Sequence, residues 1–99
     1  MLLHELAHAR TGDKGNIVTI SLIAYRNEDF RLLEERVTAD RVTRHLESLI
    51  DKPVQRYSLP LLSALNFVLH RPPSSSVTRS LALDAHGKCL GFALLRLEI

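Results

Sequence analysis

Residues 17–25 constrain this chain more than any other stretch. Val18, Ile20, Leu22 and Ala24 fall on one face of an extended segment, and Ile17, Ile23 and Tyr25 make the other face partly apolar as well. Alternation with a period of two marks a strand. Apolar residues on both sides place that strand inside a sheet rather than at its edge. The rest of the chain must therefore supply flanking strands and a cover for at least one face. It has 99 residues in which to do so. That is room for one domain with a thin core, because the fraction of surface buried falls with size. Support from a partner chain is expected on that ground.

Composition narrows the class. Hydrophobic residues make up 45% and charged residues 24%, which excludes disordered and collagen-like chains. The longest apolar run is only a few residues, too short to span a membrane. His4 and Glu5 interrupt the start before any signal-peptide core can form. The single cysteine, Cys89, excludes an internal disulfide framework and suits a cytoplasmic setting. The formal charge is +2, and the basic residues are spread from Arg10 to Arg96 without a stripe or interleaved aromatics. Nucleic acid is therefore not an expected partner.

The remaining elements follow from punctuation and period. Residues 2–9 have an ambiguous period, and residues 11–16 (TGDKGN) read as a turn cluster. Asn27 is placed to cap a helix, with Glu28 and Asp29 in its first turn and Phe30, Leu33 and Val37 on its apolar face. Thr38 reads as a second cap, before Ala39, Val42, Leu46, Leu49 and Ile50, so two short helices fit better than one. Residues 54–58 read as a short strand after Pro53. Residues 59–69 (LPLLSALNFVL) favour a helix entered at Pro60, with a buried strand over 64–69 as the rival. Residues 77–84 and 88–99 read as a hairpin turning at Gly87, with Cys89, Gly91, Ala93, Leu95 and Leu97 on one face of the last strand.

Four patterns bear on chemistry. His4-Glu5-Leu6-Ala7-His8 matches the H-E-x-x-H zinc motif, which needs both histidines on one helical face. It starts too near the beginning for such a helix, and Thr11 and Lys14 stand where the extended motif wants glycine and histidine. On a strand the two histidines lie about 13 Å apart and cannot share a metal. No metal and no cofactor is expected. The second pattern, residues 9–16, puts Arg10 and Lys14 with two glycines beside Asp13 and Asn16. Such a segment can hold a carboxylate or phosphate. Its bland reading is a self-satisfied loop, with Asp13 accepting backbone amides or pairing with Arg10 or Lys14. Third, Asn66 sits in an apolar run where its amide must find partners, either the neighbouring loop or a ligand. Last, Cys89 reads as buried and inert, and Ser74–Ser76 lack a G-x-S-x-G elbow.

Residues Leu6-Ala7-His8-Ala9-Arg10-Thr11-Gly12-Asp13-Lys14-Gly15 resemble the opening of the C-terminal domain of the acyclic terpene utilisation (AtuA) family. Tyr57-Ser58-Leu59-Pro60, Ala64-Leu65-Asn66-Phe67-Val68-Leu69, Val77-Thr78-Arg79-Ser80-Leu81 and Leu83-Asp84-Ala85-His86-Gly87-Lys88 continue the resemblance in order. It implies a ferredoxin-like α+β fold, a mostly antiparallel sheet with helices packed on one face. It also implies a setting in branched or terpenoid acyl-CoA catabolism, with no catalytic residue assigned. The family's domain is usually the tail of a much larger chain; in departure from that pattern a single stand-alone domain over residues 1–99 is expected here, acting with a separate large subunit or as a homo-oligomer. Ser74–Ser76, after Pro72-Pro73, replace a glycine triplet common in the family. The alternative is a carboxylate- or acyl-CoA-binding enzyme using residues 10–16. Ligand-binding residues are expected among Arg10, Asp13, Lys14, Asn16, Asn66 and Arg79, with no catalytic residue.

Overall fold

A computed structural model describes residues 1–72 and 88–99. Four strands form one sheet, β1 (Ala7–Lys14), β2 (Ile17–Ala24), β3 (Gln55–Leu59) and β4 (Ala64–His70), in the order β1-β2-β4-β3. Every neighbouring pair is antiparallel. β2 is central, as its two-sided apolar pattern requires. Val18, Ile20 and Leu22 face the same side as Leu69, Phe67 and Leu65 across the β2–β4 ladder, and all six are fully buried.

The cover on that side is helical. α1 (Phe30–Arg36) and α2 (Ala39–His45) are the two short helices expected. Thr38 separates them with extended backbone, and its Oγ1 accepts the Arg41 amide at 3.2 Å, as an N-cap should. Leu33, Val37, Val42 and Leu46 go into the core, whereas Leu49, assigned to the same stripe, is exposed. Arg56 on β3 reaches under the end of α1 and donates to the Glu34 and Val37 carbonyls. These are carbonyls that a helix end leaves without intrahelical donors.

Four expectations are corrected. Residues 11–14 belong to β1 rather than to a turn, because pairing with Ile17–Ile20 satisfies their backbone. The turn is only Gly15-Asn16, and Gly15 has φ 66°, in the first central position where type II′ hairpins place glycine. Asn27 does not cap a helix: it opens a 3-10 turn, Asn27–Asp29, and its side chain accepts a hydrogen bond from Ser63 Oγ at 2.7 Å. Residues 59–69 are not a helix. They make the end of β3, a 3-10 turn over Pro60–Leu62 and the strand β4, because pairing on both sides by β2 and β3 outweighs the helical spacing of the leucines. Lastly, Lys88–Leu95 is a helix, α3, not a hairpin strand. Leu90 and Leu94 carry its buried side, a spacing of four that fits a helix as well as the alternation fits a strand, and Leu97, just past the helix end, is buried with them. The proposed partner strand over 77–84 and the Gly87 turn lie outside the described residues.

α3 packs closely on β1. A Cβ at Gly91 would come within 2.7 Å of Thr11 Cγ2. His45 Nε2 donates to the Ala93 carbonyl at 2.7 Å, tying α2 to α3. The two ends of the chain meet. The Ile99 amide donates to the Met1 carbonyl at 2.9 Å, and Leu2 bridges Glu98. Read as a ring, the described elements, ββαββα with α1 and α2 taken as one helical connection, are the βαββαβ of a ferredoxin-like domain opened at a different link. The observed sheet order is the one this rotation demands. The core is thus an α+β sandwich, with helices on one side and, among the described residues, nothing packed on the other side of the sheet.

Candidate functional site

The β1–β2 hairpin positions most of the expected site residues and splits them between the two sides of the sheet. Register pairs Arg10 with Ser21 and Lys14 with Ile17, and pairs Ser21 onward with Asn66 and Asn66 with Tyr57. Opposed residues share a face, so Arg10, Ser21, Asn66 and Tyr57 form one row across the open side. Lys14 stands on the same side, two rows away. Asp13 points to the helical side, opposite Val18.

Asp13 is held there by a residue that the sequence did not single out. The Arg71 side chain is 7% exposed, and its Nη2 lies 3.8 Å from Asp13 Oδ2. The same Nη2 donates to the Gly15 carbonyl at 3.0 Å, and the Arg71 amide donates to the Asn16 carbonyl at 2.7 Å. Among the described residues, Arg71 replaces the partners expected for Asp13, namely the turn amides, Arg10 and Lys14. Asn16 serves the turn through its backbone. Arg71 was missed because it opens a Pro- and Ser-rich break, and nothing local marks an arginine there as buried. Its position beside the end of β4, which runs against β2, carries it to the hairpin.

Asn66 neither anchors a loop nor stands free. Its Oδ1 accepts from Ser21 Oγ at 3.2 Å, on the neighbouring strand. Arg10 has no hydrogen bond or ion pair among the described residues. Beside it, Ala9, Arg10, Thr11, Gly91, Phe92 and Leu95 line an open groove of about 450 Å³ between the β1 edge and α3. Phe92 is 67% exposed on that rim. Further along the open face, His8 stacks on Tyr25 with ring centroids 5.3 Å apart.

Arg79 lies outside the described residues, as do Ser74–Ser76. His4 belongs to a 3-10 turn, Leu3–Glu5, and His8 to β1, so the H-E-x-x-H spacing does not lie on one helix. Among the described residues no group of three or more metal-ligating side chains occurs. Cys89 is exposed on α3 rather than buried, a consequence of the helix replacing the strand. No helix among the described residues is long and apolar enough to cross a membrane.

The order of these elements and the motifs on β1 and β4 agree with one comparison. The profile of the AtuA ferredoxin-like domain matches residues 1–99, the whole length. The chain belongs to the AtuA ferredoxin-like domain family. No curated protein and no solved structure matches it. Within this AtuA-type domain, the signature Arg-Thr-Gly-Asp-Lys-Gly is the end of β1 and its turn, and Ala-Leu-Asn-Phe-Val is the start of β4. The two stretches that carry the resemblance flank β2 and meet through Ser21.

Proposed function

We propose that this AtuA-type domain is an accessory binding module. It works with a larger AtuA-type chain, or with a second copy of itself, in the cytoplasmic breakdown of branched or terpenoid acyl-CoA compounds. The observation that supports this reading is the apolar knob at the end of a sheet face that no other described residue covers. Leu61 is 99% exposed and Leu62 67%, on a turn fixed from both sides. Ser63, in left-handed backbone at φ 51°, donates through Oγ to Asn27, and its carbonyl accepts the Ala24 amide at 2.9 Å. Holding two leucines in water on a rigid support has a cost that contact with another surface removes. Tyr25 and Leu59 extend the same end of the sheet into solvent.

The test is sedimentation velocity over a range of concentrations, for this chain alone and mixed with a large AtuA-type chain. The expected result is a concentration-dependent shift in one of the two series. Replacing both leucines, Leu61→Asp with Leu62→Asp, should abolish the shift while leaving the melting temperature within a few degrees. A monomer at every concentration that does not co-sediment with the large chain overturns the reading.

A further inference from the structure

We infer that the row Arg10–Ser21–Asn66–Tyr57 on the open side of the sheet is a carboxylate-binding site. The inference goes beyond association with a partner chain and stands without it. Three observations carry it. First, the register puts the four side chains side by side, one per strand, over about three strand spacings or 14 Å. Second, the Ser21 hydroxyl donates to Asn66 Oδ1. The carbonyl end of the amide is thereby turned toward β2, and the Nδ2 hydrogens are left as donors without a partner among the described residues. Third, the face is one-sided in charge. Asp13 is the single carboxylate in the four strands, and it points to the helical side against Arg71. Arg10 therefore has no acidic neighbour in its own row.

These groups define the ligand. The Arg10 guanidinium presents a planar fork that matches the two oxygens of a carboxylate. Asn66 Nδ2 lies two strands away, so a group seated above Ser21 is within reach of both. Lys14 is two rows off, which leaves the row with one positive charge, suited to a monoanion more than to a phosphate dianion. The Tyr57 hydroxyl, on the edge strand, can take a further polar group of the same ligand. The shared chemistry is a carboxylate, borne by a free acid or by an acidic side chain of another protein.

The test is titration of the isolated 15N-labelled chain, followed by NMR, with acetate, hexanoate, inorganic phosphate and the blocked peptide acetyl-Gly-Glu-Gly-amide. Saturable shifts at the Asn66 side-chain amide and the Ser21 amide are expected with a carboxylate probe. Tighter binding of the peptide than of the free acids assigns the carboxylate to a protein, and the reverse order assigns it to a small molecule. Arg10→Gln should weaken binding about tenfold or more, as loss of a charge-assisted pair implies. Asn66→Asp keeps the acceptor for Ser21 and removes the donors, and should abolish binding with the backbone spectrum unchanged elsewhere. Lys14→Gln should change affinity less than twofold. Linear, unsaturating shifts with every carboxylate probe overturn the site. So does an equal loss in Lys14→Gln, or tighter binding of phosphate on the same residues. Failure here leaves association with a larger chain intact, since that is read by sedimentation on different residues.

Discussion

At the scale of single residues, the hairpin rests on a buried cation. Arg71 is nearly inaccessible and faces the Asp13 carboxylate and two turn carbonyls. Breaking a buried pair by removing one partner costs more than the pair itself contributes, because a charge is left uncompensated. Asp13 is about a quarter exposed, so the full penalty is screened. Asp13→Ala should lower stability by about 1–3 kcal/mol, a melting shift of roughly 4–8 °C per kcal/mol for a domain of this size. Lys14→Ala, on an exposed strand end, should stay within about 0.5 kcal/mol. Thermal denaturation of the two variants side by side separates a structural Asp13 from an idle one. Gly15 is constrained differently. Nothing lies within 4 Å of a Cβ built there, yet its φ is 66°. Gly15→Ala should therefore cost about 1 kcal/mol through backbone strain alone, without a steric clash.

At the scale of elements, the seat of α3 on β1 is a contact between two small groups. Gly91 allows the helix to approach until Thr11 Cγ2 would touch an added Cβ. Thr11 is β-branched and stiff at χ1, so it cannot swing clear. Gly91→Ala is expected to destabilise by about 1–3 kcal/mol, the range for overpacking. Adding Thr11→Ser removes the offending methyl and should recover most of the loss. An additive double variant, measured by denaturant unfolding, would show that the clash does not set the spacing. The joint between α1 and α2 is simpler. Thr38→Ala removes the acceptor for the Arg41 amide and should cost about 1 kcal/mol.

At the scale of the whole molecule, the fold is a ring whose two ends are hydrogen-bonded together. Joining residue 99 to residue 1 through a short glycine linker and opening the chain between Gly15 and Asn16 would give the order β2-α1-α2-β3-β4-α3-β1. That is the βαββαβ order with the same sheet neighbours. The permuted chain should fold to the same far-UV circular dichroism spectrum. Its stability should drop, because opening the turn frees the carbonyls that Arg71 holds. A molten or unfolded permutant would show that the hairpin must form intact for the sheet to assemble. The ring also fits the helices sharing one side: α1 and α2 stand between the parallel strands β2 and β3, and α3 stands between β4 and β1 in the ring order.

The central strand, the paired short helices and the Thr38 cap were legible in the sequence because each is fixed by neighbours a few residues away. A period of two over eight residues, or a hydroxyl three positions before an amide, needs no tertiary partner to be recognised. Two segments were not legible for the opposite reason. Residues 64–70 and 88–95 are short and apolar, and their spacings suit helix and strand alike. What separated them was whether strands stood alongside: β2 and β3 flank the first, while the second lies across β1 as a helix. The site divides in the same way. Arg10, Lys14 and Asn66 could be named from residue type, but which side of the sheet each would face depended on register. A loop expected over residues 11–16 became strand as far as Lys14, and that sent Asp13 to one side and its two neighbours in charge to the other. Arg71, 56 residues from Gly15 in the chain, met the hairpin only because β4 runs antiparallel to β2 and ends beside the turn. Strand pairing is a long-range choice, and a single sequence carries its local terms far more plainly than its distant ones.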